Sequence, residues 1–112
     1  MDVRLTPEQD ALRDSVAQVG GRLGPKTVTA LDDVERRAKL DAAVKASGWR
    51  ELRVAGNGGE PGASGVEVAL IAEELGAALA DTAFIGPTLS AELRRLVGSP
   101  PPTAPETVAM TR

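Results

Sequence analysis

The sequence predicts an all-α protein, a small bundle of about four helices followed by an extended proline-rich C-terminal tail. Three observations favour this fold class. Apolar residues recur at helical spacings, capping residues precede these segments, and glycines or prolines separate them. The length of 112 residues, 42% of them apolar, fits one domain with an aliphatic core. The predicted helical domain spans residues 1–98, and residues 99–112 form the tail.

The first predicted helix opens close to the N-terminus. Thr6 suits the N-cap, Pro7 suits the first helical position, and Gln9 completes a capping box. Apolar residues then recur at steps of four, three and four, so they share one helical face until Gly24-Pro25 ends the helix. This face consists of Leu12, Val16, Val19 and Leu23.

The second predicted helix begins at Asp32 or Asp33, and the pairing of Asp32 with Glu35 fits a capping box. Gly48 occupies the position of a left-handed C-terminal cap. Trp49 follows it and is interpreted as a core anchor rather than a stacking platform. A loop with five glycines then covers residues 55–65.

Two more helices are predicted after this loop. Ser64 and Glu67 fit a third capping box, and the helix that they open runs to about Leu79. Gly76 inside this helix indicates a close packing contact, since glycine costs about 1 kcal/mol relative to alanine there. A loop over residues 81–87 leads to the fourth helix, which ends at Gly98. Its apolar face consists of Leu89, Leu93, Leu96 and Val97.

The tail and the composition narrow the possible functions. Residues 99–105 contain four prolines and are predicted to be extended, and residues 107–110 resemble the start of a strand. The chain has no cysteine and no histidine, which excludes disulfides, cysteine zinc sites and Ser-His-Asp chemistry within it. The net charge of −3 disfavours nucleic acid and anionic membranes as partners.

The sequence shows no targeting signal. No apolar run approaches the roughly 20 residues that span a bilayer. The first residues, Met1-Asp2-Val3-Arg4, lack the basic and apolar pattern of a signal peptide. A soluble cytoplasmic protein without a membrane span is therefore the expectation.

Three local motifs admit a functional and a structural interpretation. The glycine-rich stretch over residues 56–62 invites phosphate binding, but it matches neither the dinucleotide fingerprint nor the P-loop, so a structural turn is favoured. Glu73-Glu74 lie about 100° apart on a helix and cannot share one catalytic site. Arg36-Arg37 and Arg94-Arg95 are flanked by acids and are interpreted as solvated helix faces. The residues alone thus specify a helical domain and no reaction.

Four segments, taken in order, carry a resemblance to a known family. Leu5-Thr6-Pro7-Glu8-Gln9 with Leu12-Arg13 comes first, and Gly48-Trp49 with Leu52 comes second. The third is Ser64-Gly65-Val66-Glu67-Val68-Ala69 through Glu73-Glu74-Leu75-Gly76, and the fourth is Phe84 with Leu89-Ser90-Ala91-Glu92-Leu93. Their order and spacing over residues 3–98 resemble the N-terminal helical domain of the acyl-CoA dehydrogenase family.

The resemblance implies a flavin-dependent oxidoreductase that converts an acyl-CoA thioester to the trans-2-enoyl-CoA, with flavin adenine dinucleotide (FAD) as hydride acceptor. It implies that the catalytic base and most FAD contacts lie in central and C-terminal domains, which are the expected partners, and that the complete enzyme is an oligomer. No catalytic, cofactor-binding or metal residue is assigned to this chain, which is expected to be a truncated or split part and inactive alone. The matching wall of the acyl pocket is Phe84, Ile85, Thr88 and Leu89.

One segment departs from the family pattern. The loop over residues 54–64 keeps only Gly59, Gly62 and Ser64 of the family's proline-, aromatic- and glycine-containing motif. This departure favours a second hypothesis, in which the chain is a diverged, non-catalytic helical interaction module. Such a module would bind its partner through an apolar surface.

Overall fold

The computed structural model describes residues 4–54 and 61–108. Within these ranges the chain forms four α-helices and no strand, which confirms the predicted all-α class and the number of helices. Two short 3₁₀ turns, Thr29–Asp32 and Trp49–Glu51, precede and follow the second helix. The helices are α1 (Pro7–Leu23), α2 (Val34–Ser47), α3 (Gly65–Ala77) and α4 (Ile85–Val97).

Side-chain caps fix where α1 and α2 begin. The predicted capping box of α1 is confirmed, because Thr6 Oγ1 accepts from the Gln9 amide at 3.1 Å and Gln9 Oε1 accepts from the Thr6 amide at 2.9 Å. The cap of α2 is Asp33, whose carboxylate accepts from the Arg36 amide at 3.0 Å. The alternative Asp32–Glu35 box does not form, since residue 32 belongs to the preceding 3₁₀ turn.

The cap of α3 differs in part from its prediction. Ser64 is the N-cap and accepts from the Val66 amide at 3.3 Å. The Glu67 carboxylate accepts a hydrogen bond from the Ser64 hydroxyl instead of completing the box to the backbone. Gln9 Nε2 also donates to Glu67 at 3.4 Å, so this carboxylate links the beginnings of α1 and α3. Gly48 is confirmed as the left-handed cap of α2, with φ of 73°.

The end of α3 corrects two expectations. The helix ends at Ala77, two residues before the predicted Leu79, because Leu79 takes a left-handed conformation with φ of 50°. The Ala80 amide donates to the Leu75 carbonyl at 2.9 Å, which closes a tight C-terminal turn. Gly76 makes no close packing contact, since a Cβ built there would meet nothing within 4 Å.

The fourth helix begins earlier than predicted. Ile85 and Pro87 belong to the first turn of α4 rather than to a loop, because the Phe84 carbonyl already accepts from the Thr88 amide at 3.0 Å. Proline is tolerated in a first turn, where its missing N–H has no intrahelical partner. α4 ends at Gly98 with φ of 73°, as predicted.

The core lies where α1 crosses α3 and α2. Trp49 is 5% exposed, which confirms its predicted role as an anchor. Gly20 lies against the end of α3, where an added Cβ would come within 2.7 Å of Ala78 Cβ. The buried cluster consists of Val16, Leu40, Val44, Trp49, Ile71, Leu75 and Phe84.

Hydrogen bonds from Arg36 link the segment between α1 and α2 to the loop before α4. Its guanidinium donates to both Asp81 carboxylate oxygens, at 2.6 and 2.9 Å, and to the carbonyls of Leu23 and Ala30. The side chain is 13% exposed, so it is not part of a solvated helix face as expected from the sequence. These hydrogen bonds and the carboxylate hold the pKa of Arg36 above its ordinary value and that of Asp81 below it.

Candidate functional site

An open groove separates the end of α3 from the beginning of α4. Its volume is about 660 Å³, and most of the residues that line it are apolar. Phe84 is buried at 5% exposure, whereas Leu79 and Ile85, which also line the groove, are 75% and 58% exposed. The groove therefore joins the buried core to the solvent-facing side of α4.

The four residues predicted to form a pocket wall do not share one surface. Phe84 and Ile85 line the groove. Leu89 is 42% exposed on the outer side of α4. Thr88 is 7% exposed, and its Oγ1 has no hydrogen-bond partner among the described residues. Phe84 and Ile85 thus line the groove, Leu89 faces solvent outside it, and Thr88 is buried.

The outer side of α4 carries five exposed aliphatic side chains, which we call the α4 face. Their exposed fractions range from 42% to 75%. α4 packs on the bundle through Thr88 and Ala91 instead, which are 7% and 6% exposed. An amphipathic helix ordinarily turns its apolar side toward its own core. The α4 face consists of Ile85, Leu89, Leu93, Leu96 and Val97.

Glu92 forms one border of the α4 face. Its carboxylate accepts two hydrogen bonds from Arg53, at 2.8 and 3.0 Å, and two from Arg95, at 3.2 and 2.5 Å. Arg53, followed by Arg95, holds the pKa of Glu92 at about 2, below its ordinary value of 4.5. Arg53 also donates to the Ala63 carbonyl at 2.8 Å, so α4 is tied to both sides of the glycine-rich loop.

The tail forms the other border. Residues 99–108 contain no helix or strand, and Glu106 turns back onto α4, where it accepts two hydrogen bonds of 2.6 Å from Arg94 and one from the Ser90 hydroxyl. These contacts, that with Arg94 first, hold the pKa of Glu106 at about 2. Thr107 lies against Gly86, where an added Cβ would collide with its side chain. The tail therefore lies beside the α4 face.

The other sequence motifs provide no site. The glycine-rich stretch and the strand predicted over residues 107–110 fall largely on residues 55–60 and 109–112, outside the described ranges, and residues 107–108 form no strand. Glu73 is exposed and Glu74 is half-buried, each without an ion pair to another described residue. Arg94 and Arg95 are paired with carboxylates rather than solvated. Residues 4–54 and 61–108 hold no cluster of acidic side chains suited to a metal ion.

Comparisons of the chain with protein-family models, curated proteins and solved structures found no match. The class is therefore given by the fold of the described residues, a small all-α bundle of four helices with an exposed apolar helix face. No helix in the described part of the chain is long and apolar enough to cross a membrane.

The spacing of the apolar residues on the α4 face could be predicted from the sequence, but not whether this face points toward the core or toward solvent. Leu89, Leu93 and Leu96 share one side of a helix wherever that side points. The one local signal is that the opposite side carries small residues such as Ala91 and Ser90, which suit close helix packing. The Arg53–Glu92 and Arg94–Glu106 pairs were not predicted, since partners 39 and 12 residues apart have no sequence signature.

Proposed function

We propose that the chain is the helical N-terminal domain, or a split subunit, of a flavin-dependent acyl-CoA dehydrogenase. In this proposal it covers the FAD and acyl pocket of the remaining domains, supports assembly with them and is inactive alone. The observation that carries the proposal is the apolar groove lined by Phe84 and Ile85, which opens directly onto the uncovered α4 face. A covering domain requires such a surface, because its partner must exclude water from the substrate.

The family-like segments support the proposal through the positions that they occupy. Thr6 and Gln9 form the cap of α1, Gly48 and Trp49 end α2 and anchor it, and Ser64 caps α3. The segment with Phe84 and Leu89 contributes the groove and part of the α4 face. Each segment thus has a structural role, as expected of a scaffold that holds a covering surface.

The first experiment uses the purified chain alone. Because no described residue is assigned as the base or to flavin binding, we expect the chain to retain no FAD and to reduce no artificial electron acceptor when an acyl-CoA is added. Flavin absorbance and dye reduction measure these two properties. A purified chain that retains FAD and oxidises an acyl-CoA would refute the covering role.

The second experiment joins the chain to a catalytic body. This chain replaces the N-terminal helical domain of an acyl-CoA dehydrogenase, and acyl-CoA-dependent bleaching of the flavin is measured for short and long acyl chains. We expect the chimera to bind FAD and to be active. We expect Phe84→Ala to shift the ratio of kcat/KM values between chain lengths by about 10-fold or more, since this is the effect of one methylene in an apolar pocket. Val66→Ala, at an exposed position on α3, serves as the matched control. An FAD-bound chimera whose chain-length preference ignores Phe84→Ala would contradict the pocket wall.

The second candidate function is a non-catalytic interaction module. The observation that favours it is the α4 face itself. A contiguous exposed apolar surface on a protein usually marks a site of contact with another molecule. The chimera experiment distinguishes this function from the covering role. If the chain is an interaction module, it binds its partner through α4, and Phe84→Ala leaves the chain-length preference of the chimera unchanged.

A further inference from the structure

We infer that this chain pairs with a second copy of itself through an apolar strip that extends beyond the α4 face. This inference does not rest on the dehydrogenase role, because it concerns the chain on its own, in which no catalytic domain covers the α4 face, and it needs only the geometry and charge of the strip. The strip begins at the α4 face and continues across the groove from Ile85 to Leu79, since both residues line that groove. From Leu79 it continues across a second apolar groove of about 350 Å³ to Val28 and Leu31.

The middle of the strip is Leu79, whose side chain is 75% exposed. Its left-handed backbone, with φ of 50°, belongs to the C-terminal turn of α3, which the hydrogen bond from the Ala80 amide to the Leu75 carbonyl closes at 2.9 Å. This turn places the Leu79 side chain where it lines both grooves.

The area of the strip fits a specific interface. Full burial of one aliphatic side chain removes on the order of 100 Å² from water. The eight side chains of the strip are 42–82% exposed and therefore present roughly 500 Å² of apolar surface. A standard interface buries about 800 Å² per partner, of which about 60% is apolar, so the strip supplies the apolar share of one such face.

Shape and charge favour a second copy as the occupant. A two-fold interface uses the same surface on both partners, so that surface must contain both a ridge and a recess. The strip has both, because α4 forms a ridge directly beside the groove lined by Leu79 and Ile85. The charged side chains that border α4 are engaged within their own chain, Glu92 with Arg53 and Arg95, and Arg94 with Glu106. These ion pairs leave the α4 side of the strip mainly apolar, and Lys26 is the one charged side chain among the described residues that line the two grooves.

The test is the molar mass of the purified chain, measured by sedimentation equilibrium from about 1 μM to about 1 mM, a range that covers weak and moderate affinities. We expect the mass to rise from 11.6 kDa toward twice this value, 23.2 kDa, with little change in the dissociation constant between low and high salt. Leu93→Lys should keep the helical circular dichroism spectrum of the wild type and remain at 11.6 kDa. Val66→Lys, an equal change at an exposed position outside the strip, should dimerise like the wild type.

A second variant keeps the test decisive if Leu93→Lys fails to fold. Leu79→Lys changes a side chain that is 75% exposed at the other part of the strip and should also abolish the dimer. A wild-type chain that stays at 11.6 kDa at every concentration would overturn the inference and leave the strip to a different polypeptide. Dimers that survive both Leu93→Lys and Leu79→Lys would overturn it as well, because they would use another surface.

Discussion

The two adjacent glycines near the end of α1 have opposite environments, and this difference predicts opposite effects of the same substitution. Gly20 is buried, and an added Cβ would lie 2.7 Å from Ala78 Cβ. Gly21 is exposed, and an added Cβ would meet nothing within 4 Å. Gly20→Ala and Gly21→Ala therefore form a matched pair, in which helix propensity is shared and only the contact with α3 differs.

The expected magnitudes follow from propensity and packing. Alanine is favoured over glycine in a helix by about 1 kcal/mol, so Gly21→Ala should raise the free energy of unfolding by up to that amount. At Gly20 the same gain is opposed, because 2.7 Å is about 1 Å shorter than the best carbon–carbon separation. Overpacking of this kind costs about 1–3 kcal/mol. We expect Gly20→Ala to be less stable than Gly21→Ala by about 1–3 kcal/mol, or roughly 4–20 °C in Tm.

The assay is urea unfolding followed by the helical circular dichroism signal at low protein concentration. A double-variant cycle with Ala78→Gly identifies the cause, because removal of the opposing methyl group should make Gly20→Ala stabilising in that background. Equal stabilisation by Gly20→Ala and Gly21→Ala in the wild-type background would refute the close approach of α1 and α3. The same conclusion would follow if Ala78→Gly left the difference unchanged.

Three further predictions concern polar groups. Thr88→Val should leave the free energy of unfolding unchanged or raise it by about 1 kcal/mol, because the buried hydroxyl has no hydrogen-bond partner among the described residues. A decrease of more than about 1 kcal/mol would show that the hydroxyl does have a hydrogen-bond partner. Asp81→Asn should lower the free energy of unfolding by about 1–2 kcal/mol, because it weakens the ion pair with Arg36. Asp10→Asn, in the exposed pair with Arg13, should lower it by less than about 0.5 kcal/mol. Equal losses in urea unfolding would contradict the structural role of the Arg36–Asp81 pair. The folded-state pKa values of Glu92 and Glu106 are about 2, below the unfolded value of 4.5. The two carboxylates therefore stabilise the folded state fully above about pH 4.5, and this stabilisation is lost as the pH falls toward 2. Free energies of unfolding that depend identically on pH in the wild type and in Glu92→Gln would disprove the contribution of Glu92.

Local sequence signals predicted the helices well because capping is a local interaction. The capping box of α1 joins Thr6 and Gln9, which are three residues apart. The left-handed cap of α2 depends only on the backbone conformation of Gly48. Both features could therefore be predicted without tertiary structure. The cap of α2 was predicted as Asp32 or Asp33, because two adjacent aspartates compete for one position, and Asp33 is the one that forms it. The early start of α4 at Ile85 was missed because a first-turn proline is compatible with both a loop and a helix.

The candidate site was less predictable because it depends on contacts between distant segments. The periodic leucines of α4 were visible, but whether they face the core depends on how Thr88 and Ala91 pack on the bundle. Gly76 illustrates the same limit, since a glycine inside a helix was interpreted as a packing contact that in fact occurs at Gly20. Pattern alone does not say which glycine another helix approaches.

The central claim is that the leucines of α4 face outward and are available to a partner. The most direct measurement compares the free energies of unfolding of Leu93→Ala and Leu40→Ala, taken at a protein concentration low enough to keep the chain monomeric. Leu93 is 51% exposed and Leu40 is fully buried, so we expect a change within about 0.5 kcal/mol for the first and a loss of about 2–5 kcal/mol for the second. Losses of similar size for both variants would place Leu93 in the core and contradict the account.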